Sequence, residues 1–153
     1  MNRFLYHVIA TAAGCGYVPL APGTAGSILA LILVYCFYPS WWLLGLVILV
    51  LFFLGVHTSA QMEKIYGPDP SLVVIDEVVG MSISLIYLPR NYWLFLLAFL
   101  FFRFYDIVKP PPIHISQKLP GGWGVMIDDV LAGIFALITL QVCRMAYLAM
   151  VAL

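Results

Sequence analysis

The chain has 153 residues, of which 64% are hydrophobic and 9% charged, with zero net charge. A soluble domain of this size carries roughly a quarter charged residues and has too little interior to hide so much apolar surface. The composition therefore excludes an ordinary soluble enzyme, and the neutral balance excludes a nucleic-acid binder. It predicts a single integral membrane domain over residues 1–153 with lipid as its solvent. Cys15, Cys36 and Cys143 are odd in number and lie in or beside apolar stretches, so they read as small buried hydrophobes rather than a disulfide or metal site.

The N-terminal segment holds Arg3, a short apolar run interrupted by His7, and Ala12-Ala13-Gly14-Cys15. The run is too short for a signal sequence and leads straight into a glycine-rich motif, so it reads as a retained arm. Five apolar stretches follow. The first starts at Thr24 to Ser27, whose hydroxyls suit a helix cap, and ends at Pro39-Ser40. The second runs from about Trp41 to Val56 and fades into a polar stretch, His57 to Pro70. The third runs from near Ser71 to Leu88-Pro89, and the fourth from Tyr92 to Val108, stopped by Lys109 and three prolines that cannot continue a helix. The fifth begins after Gly121-Gly122-Trp123-Gly124 and continues almost to Leu153. Crossing a bilayer takes about 20 apolar residues, so the first stretch is short or re-entrant and the other four span once their polar ends are included. The expected fold is all-α: a polytopic membrane bundle of about five apolar helices, four of them spanning, plus the short N-terminal segment.

If each helix reverses direction at each turn, the polar clusters share one membrane face. Thr24 and Ser27 open the first helix, and His57 and Glu63 follow the second. Asp76 and Glu77 start the third, Arg103, Asp106 and Lys109 end the fourth, and Asp128 and Asp129 open the fifth. The opposite face receives Pro39-Ser40, Pro89-Arg90-Asn91 and Arg144, with Trp41, Trp42, Tyr92 and Trp93 as an aromatic belt. Lys64, Arg103, Lys109 and Lys118 on the polar face outnumber Arg90 and Arg144, so the positive-inside bias puts that face in the cytoplasm.

Carboxylates inside a membrane are costly and mark function. Asp76-Glu77 and Asp128-Asp129 each sit about one turn into a helix, roughly 6 to 9 Å below its start. Asp76, Gly80 and Ser84, like Asp128, Ala132 and Ala136 and like Asp129 and Gly133, place small residues beneath each acid, which lets the third and fifth helices approach closely. Crowded carboxylates repel unless a cation neutralises them, and an all-oxygen set suits magnesium, manganese or calcium rather than zinc. The competing reading is a set of salt bridges to Arg103, Lys109 and Lys118. Pro22-Gly23-Thr24-Ala25-Gly26-Ser27 is either a phosphate-holding helix start or a plainly capped one. Arg103, one turn before Asp106, serves either a phosphate or Asp106 itself. His57 is placed to shuttle a proton or to form an ordinary hydrogen bond, and Glu63, Lys64 and Asp69 read as solvated loop residues.

Four motifs in order, Gly14 to Ser27, Ile75 to Met81, Arg103 to Pro110 and Gly121 to Asp129, resemble the phosphatidylglycerophosphatase A family. The likeness covers Gly14 to about Ala136. It implies a magnesium-dependent phosphatase of a bacterial inner membrane, acting on phosphatidylglycerol phosphate in phospholipid synthesis. On that likeness Asp76, Glu77, Asp128 and Asp129 would bind Mg2+, Asp106 would act as ligand or base, and Arg103, Lys109 and the helix start with Thr24, Gly26 and Ser27 would hold the phosphate. Two alternatives stand beside it. An alcohol-phosphate transferase also uses intramembrane aspartates, but its spaced aspartate signature is absent; a small cation carrier would need acids at mid-depth. The partners implied are the phospholipid substrate and the bilayer, and the sequence carries no signal for an oligomeric state.

Overall fold

The computed structural model describes residues 2–151, and among them the regular structure is entirely helical. Helix α1 (Arg3–Ala10) leads through a 3-10 turn at Cys15–Tyr17 to α2 (Pro22–Phe37). Then come α3 (Trp41–Tyr66), α4 (Ile75–Ser84), α5 (Tyr92–Val108), the single turn α6 (Ile113–Ser116) and α7 (Gly122–Val151). The helix ends follow local chemistry. Pro22 occupies the first turn of α2, where its missing N–H costs nothing, and Tyr38 closes that helix in a left-handed conformation before Pro39. Asn91 caps α5 by accepting from the amides of Trp93 and Leu94.

Three boundaries differ from the sequence expectation. Thr24 and Ser27 do not cap α2: the flanking residue is Ala21, without a side-chain cap, and the Ser27 hydroxyl donates to the Gly23 carbonyl inside the helix. The second apolar stretch does not fade at Val56, since α3 continues through the polar residues to Tyr66, with His57 within it. Thr58 shows how: its hydroxyl is satisfied by the carbonyl of Leu54 one turn back. The third stretch, expected to span, is helical for only ten residues, about 15 Å or half the hydrocarbon thickness. Among the described residues two helices, α3 at 26 residues and α7 at 30, are long and apolar enough to cross a membrane.

The short α4 is the axis of the molecule. Nine of its ten residues are buried, including Val79, Met81 and Ser84, and it packs among α2, α3, α5 and α7. Its own serines are satisfied internally, Ser82 by the Val78 carbonyl and Ser84 by that of Met81. Around it lie Met62, Phe102, Met126 and Leu140, all buried. The outward faces of α2, α3, α5 and α7 carry Ile32, Leu49, Phe53, Leu100, Phe104 and Val142, all exposed. Apolar residues outside and carboxylates inside invert the arrangement of a water-soluble protein. Trp42, Tyr92 and Trp93 are exposed at one end of the bundle, where the belt was expected, while Trp41 packs against Tyr38 and Tyr87.

Helices α4 and α7 meet at two glycines. A Cβ on Gly133 would stand 2.2 Å from the Gly80 carbonyl oxygen, and one on Gly80 would stand 2.5 Å from the Asp129 carbonyl oxygen. This contact is the close approach anticipated from the small-residue stripe, one turn from Asp76 on α4 and from Asp129 on α7.

Candidate functional site

A cavity of about 380 Å3 opens at the end of the bundle where α2, α4 and α7 begin and α5 ends. The start of α2 gives it Gly23 and Thr24, the loop before α4 gives Asp69 and Ser71, and α4 gives Asp76 and Glu77. The end of α5 gives Arg103, Asp106 and Lys109, and α7 gives Asp128 and Asp129. The residues gathered from five separate segments of sequence thus share one space. Helix α1 braces this end, because its terminal Ala10 carbonyl accepts from the amide of Val74 just before α4.

Within each acidic pair the first carboxylate accepts the amide of the second: Asp76 Oδ1 from Glu77 N at 3.1 Å, and Asp128 Oδ1 from Asp129 N at 3.0 Å. The pairs then diverge. Oxygens of Asp76, Glu77 and Asp129 all lie within 4.8 Å of one another. Glu77 Oε2 and Asp129 Oδ2 are buried and make no hydrogen bond, with Asp129 itself only 3% exposed. Unpaired carboxylate oxygens at such burial are expensive, and a hard divalent cation is the group that their geometry and chemistry fit. Asp128 instead accepts from Lys109 Nζ at 2.5 Å and from Gln117 Nε2 at 3.1 Å. Four acids were grouped from the sequence; the structure clusters three and pairs the fourth with a lysine.

The cations are organised around Asp106. Arg103 Nη1 lies 2.6 Å from Asp106 Oδ2, an ion pair by distance though without hydrogen-bond geometry, and Lys109 Nζ lies 3.9 Å from Asp106 Oδ1. Burial alone would lower the Lys109 pKa. Its bond to Asp128 and the charges of Asp128, Asp129 and Asp106 outweigh that effect and hold it above the ordinary lysine value, so it stays charged at neutral pH. Gly23 is a cradle for this arrangement, because a Cβ there would fall 2.0 Å from Glu77 Oε1. The amides of Gly23 and Thr24 belong to the first turn of α2, where the helix itself offers them no acceptor.

Several expected residues lie elsewhere. Gly26 and Ser27 are buried below the cavity: Gly26 lets Val74 approach, and the Ser27 hydroxyl is spent on Gly23. His57 is exposed on α3 against the Tyr6 ring, outside the cavity. Lys118 is exposed. Glu63 borders a neighbouring crevice of about 90 Å3 rather than the main cavity. Conversely, Asp69, expected to be a solvated loop residue, lines the cavity, and Gln117, given no role from the sequence, bonds Asp128. Pro68-Asp69-Pro70 stiffens the loop just before the first acidic helix, a signal available in the sequence; nothing local marks Gln117, which reaches Asp128 across eleven residues.

Residues 8–144 match the family described as Phosphatidylglycerophosphatase A. A Bacteroides thetaiotaomicron protein named "Putative phosphatidylinositol-3-phosphatase" is 40% identical over 150 residues, covering 92% of this chain and 94% of that protein. The chain is also 39% identical to phosphatidylglycerophosphatase A of Escherichia coli K12, over 86% of this chain and 78% of that protein. With the Haemophilus influenzae phosphatidylglycerophosphatase A it shares 40% identity, over 86% of this chain and 84% of that protein. No solved structure matches the chain.

Proposed function

The chain belongs to the phosphatidylglycerophosphatase A family and is a phosphatase; from that premise we propose that it hydrolyses phosphatidylglycerol phosphate to phosphatidylglycerol and inorganic phosphate with magnesium. The observation that carries the metal-dependent part is the trio Asp76, Glu77 and Asp129, with two buried, unpartnered carboxylate oxygens among them, in a cavity also lined by Arg103 and Lys109.

In this reading Asp76, Glu77 and Asp129 hold magnesium, which supplies Lewis-acid stabilisation of charge on the phosphoryl oxygens. Arg103 and Lys109 attract and orient the phosphate, and the free amides at the start of α2 donate to its remaining oxygens. Asp106 fixes the guanidinium of Arg103 and serves as the base that takes the proton of the attacking water. Asp128 acts through Lys109: it holds the ammonium at the cavity wall rather than touching the metal. The P–O bond to the glycerol oxygen breaks as a water oxygen bonds to phosphorus, and the proton released ends on the departing lipid alcohol.

The bundle sits in the inner membrane as a multi-pass domain. Helices α2, α3, α5 and α7 face lipid and α4 is an enclosed half-helix, since irregular backbone at membrane depth is tolerated only inside protein. The cavity faces the cytoplasm, the side that the excess of lysine and arginine favours.

The test is phosphate release by the purified protein in detergent from phosphatidylglycerol phosphate, with magnesium or with excess chelator. Activity that survives the chelator sinks the metal assignment. The name of the Bacteroides relative favours a second headgroup, so phosphatidylinositol 3-phosphate belongs in the same assay; faster release from that lipid would move the substrate assignment while leaving the site intact.

A further inference from the structure

An apolar groove of about 410 Å3 runs along the outside of the bundle between α2 and α5. Its walls are Ile28, Ile32 and Cys36 on one side and Phe99, Leu96 and Tyr92 on the other. Along α2 it runs from Ile28 to Cys36, nine residues and roughly 12 Å, against about 15 Å of hydrocarbon in one leaflet. Tyr35 closes its floor, held edge-on against Phe95 at 5.2 Å and under the Arg90 guanidinium at 4.9 Å. Ile28 and Ile32 are 43% and 50% exposed, so the groove is open to the side.

The groove lies under the polar cavity. The same two helices form both: Thr24 of the cavity is one turn from Ile28 of the groove on α2, and Arg103 is one turn from Phe99 on α5. The other large apolar groove near α5, lined by Leu97, Leu140 and Arg144, lies on the far side of that helix and shares neither α2 nor the cavity.

We propose that the α2–α5 groove is the acyl-chain site of the substrate phospholipid, which enters sideways between these helices so that its phosphate reaches the cavity while one chain lies against Ile28, Ile32 and Phe99. The proposal rests on the lipid-phosphatase reading and adds to it where the lipid tail binds. A groove that continues a headgroup site lets the bilayer deliver substrate without extracting it, because the apolar chain never leaves an apolar environment.

The experiment compares kcat/KM for dioleoyl and dihexanoyl phosphatidylglycerol phosphate. Ile28→Trp and Ile32→Trp, both at exposed positions, fill the groove, whereas Leu97→Trp fills the other one. Each filled-groove variant is expected to lower the long-chain to short-chain ratio of kcat/KM about tenfold, the effect of losing contact with roughly two methylenes. Leu97→Trp should leave the ratio unchanged. A ratio unaltered in all three variants, or lowered equally by Leu97→Trp, overturns the groove assignment while wild-type turnover keeps the phosphatase reading standing. A second readout does not need turnover: phosphatidylglycerol phosphate with a photoreactive diazirine chain should label peptides of α2 and α5 selectively. Labelling spread evenly over the exposed faces of α3 and α7 means bulk lipid only and refutes the site.

Discussion

Replacing Gly133 with alanine tests the link between helix packing and chemistry, because the new methyl group has nowhere to go. Its carbon would stand 2.2 Å from the Gly80 carbonyl oxygen, 3.0 Å from the carbonyl carbon and 3.1 Å from the Cα. All three are backbone atoms, so no side chain can turn away. Ordinary contact begins at 3.4 Å, and the shortfall against the closest atom obliges α4 and α7 to part by about 1.2 Å. Overpacking of this kind costs roughly 1–3 kcal/mol of stability. The larger consequence is for the site. Asp129 lies one turn above Gly133 and Asp76 one turn above Gly80, so the separation is carried into the carboxylate trio, and a misplacement of about 1 Å costs about a hundredfold in rate. Gly133→Ala is therefore expected to melt somewhat earlier in detergent and to release phosphate about a hundredfold more slowly at saturating magnesium. Gly45→Ala is the control: nothing lies within 4 Å of the added methyl, and the change should be neutral or stabilise α3 by about 0.5–1 kcal/mol. A Gly133→Ala protein with wild-type melting and wild-type rate would refute the idea that this contact sets the spacing of the acids.

The acids themselves separate into two classes. Asp76→Asn, Glu77→Gln and Asp129→Asn should each lower turnover by orders of magnitude, yet melt no earlier than wild type in chelator, because amidation relieves repulsion among like charges; early melting with an unchanged per-molecule rate would make them structural. Asp128→Asn should behave differently, destabilising by about 2 kcal/mol because Lys109 loses its hydrogen-bonded carboxylate and keeps only Asp106 at 3.9 Å, and a melting temperature equal to wild type would deny that pair its role. For orientation, single cysteines placed in His57 to Pro70 and in Pro110 to Gly122 should resist an impermeant thiol reagent in intact cells, in a background lacking the native cysteines, while one at Asn91 reacts. The reverse pattern would place the cavity outside the cytoplasm.

The sequence by itself determined the helical fold and most of the residues that line the cavity, Thr24, Asp76, Glu77, Arg103, Asp106, Lys109, Asp128 and Asp129 among them, though not Asp69. These are legible because they depend on local quantities. Apolar runs between prolines and glycines define helices, alternation of direction sorts their ends, and isolated carboxylates in such runs have nowhere to go but inward. The small residues below Asp76 and Asp129 even disclosed the α4–α7 contact, since a helical repeat of four is visible in one dimension.

What only the tertiary structure decided was how partners are shared. Asp76-Glu77 and Asp128-Asp129 look equivalent along the chain, each an acidic doublet with apolar residues on both sides. They are not equivalent in space, because Lys109 and Gln117 approach α7 from one side and claim Asp128, leaving Asp129 to turn toward α4. The length of α4 was hidden for a similar reason. The apolar run from Ser71 to Leu88 reads as one span, but its flanks leave the helix in a pocket closed by neighbouring helices, where Val73, Val74, Leu85 and Leu88 are buried by protein on every side. Hydropathy measures whether a residue avoids water; it does not record whether lipid or protein does the covering, and that distinction separates a spanning helix from the enclosed half-helix that carries the acids.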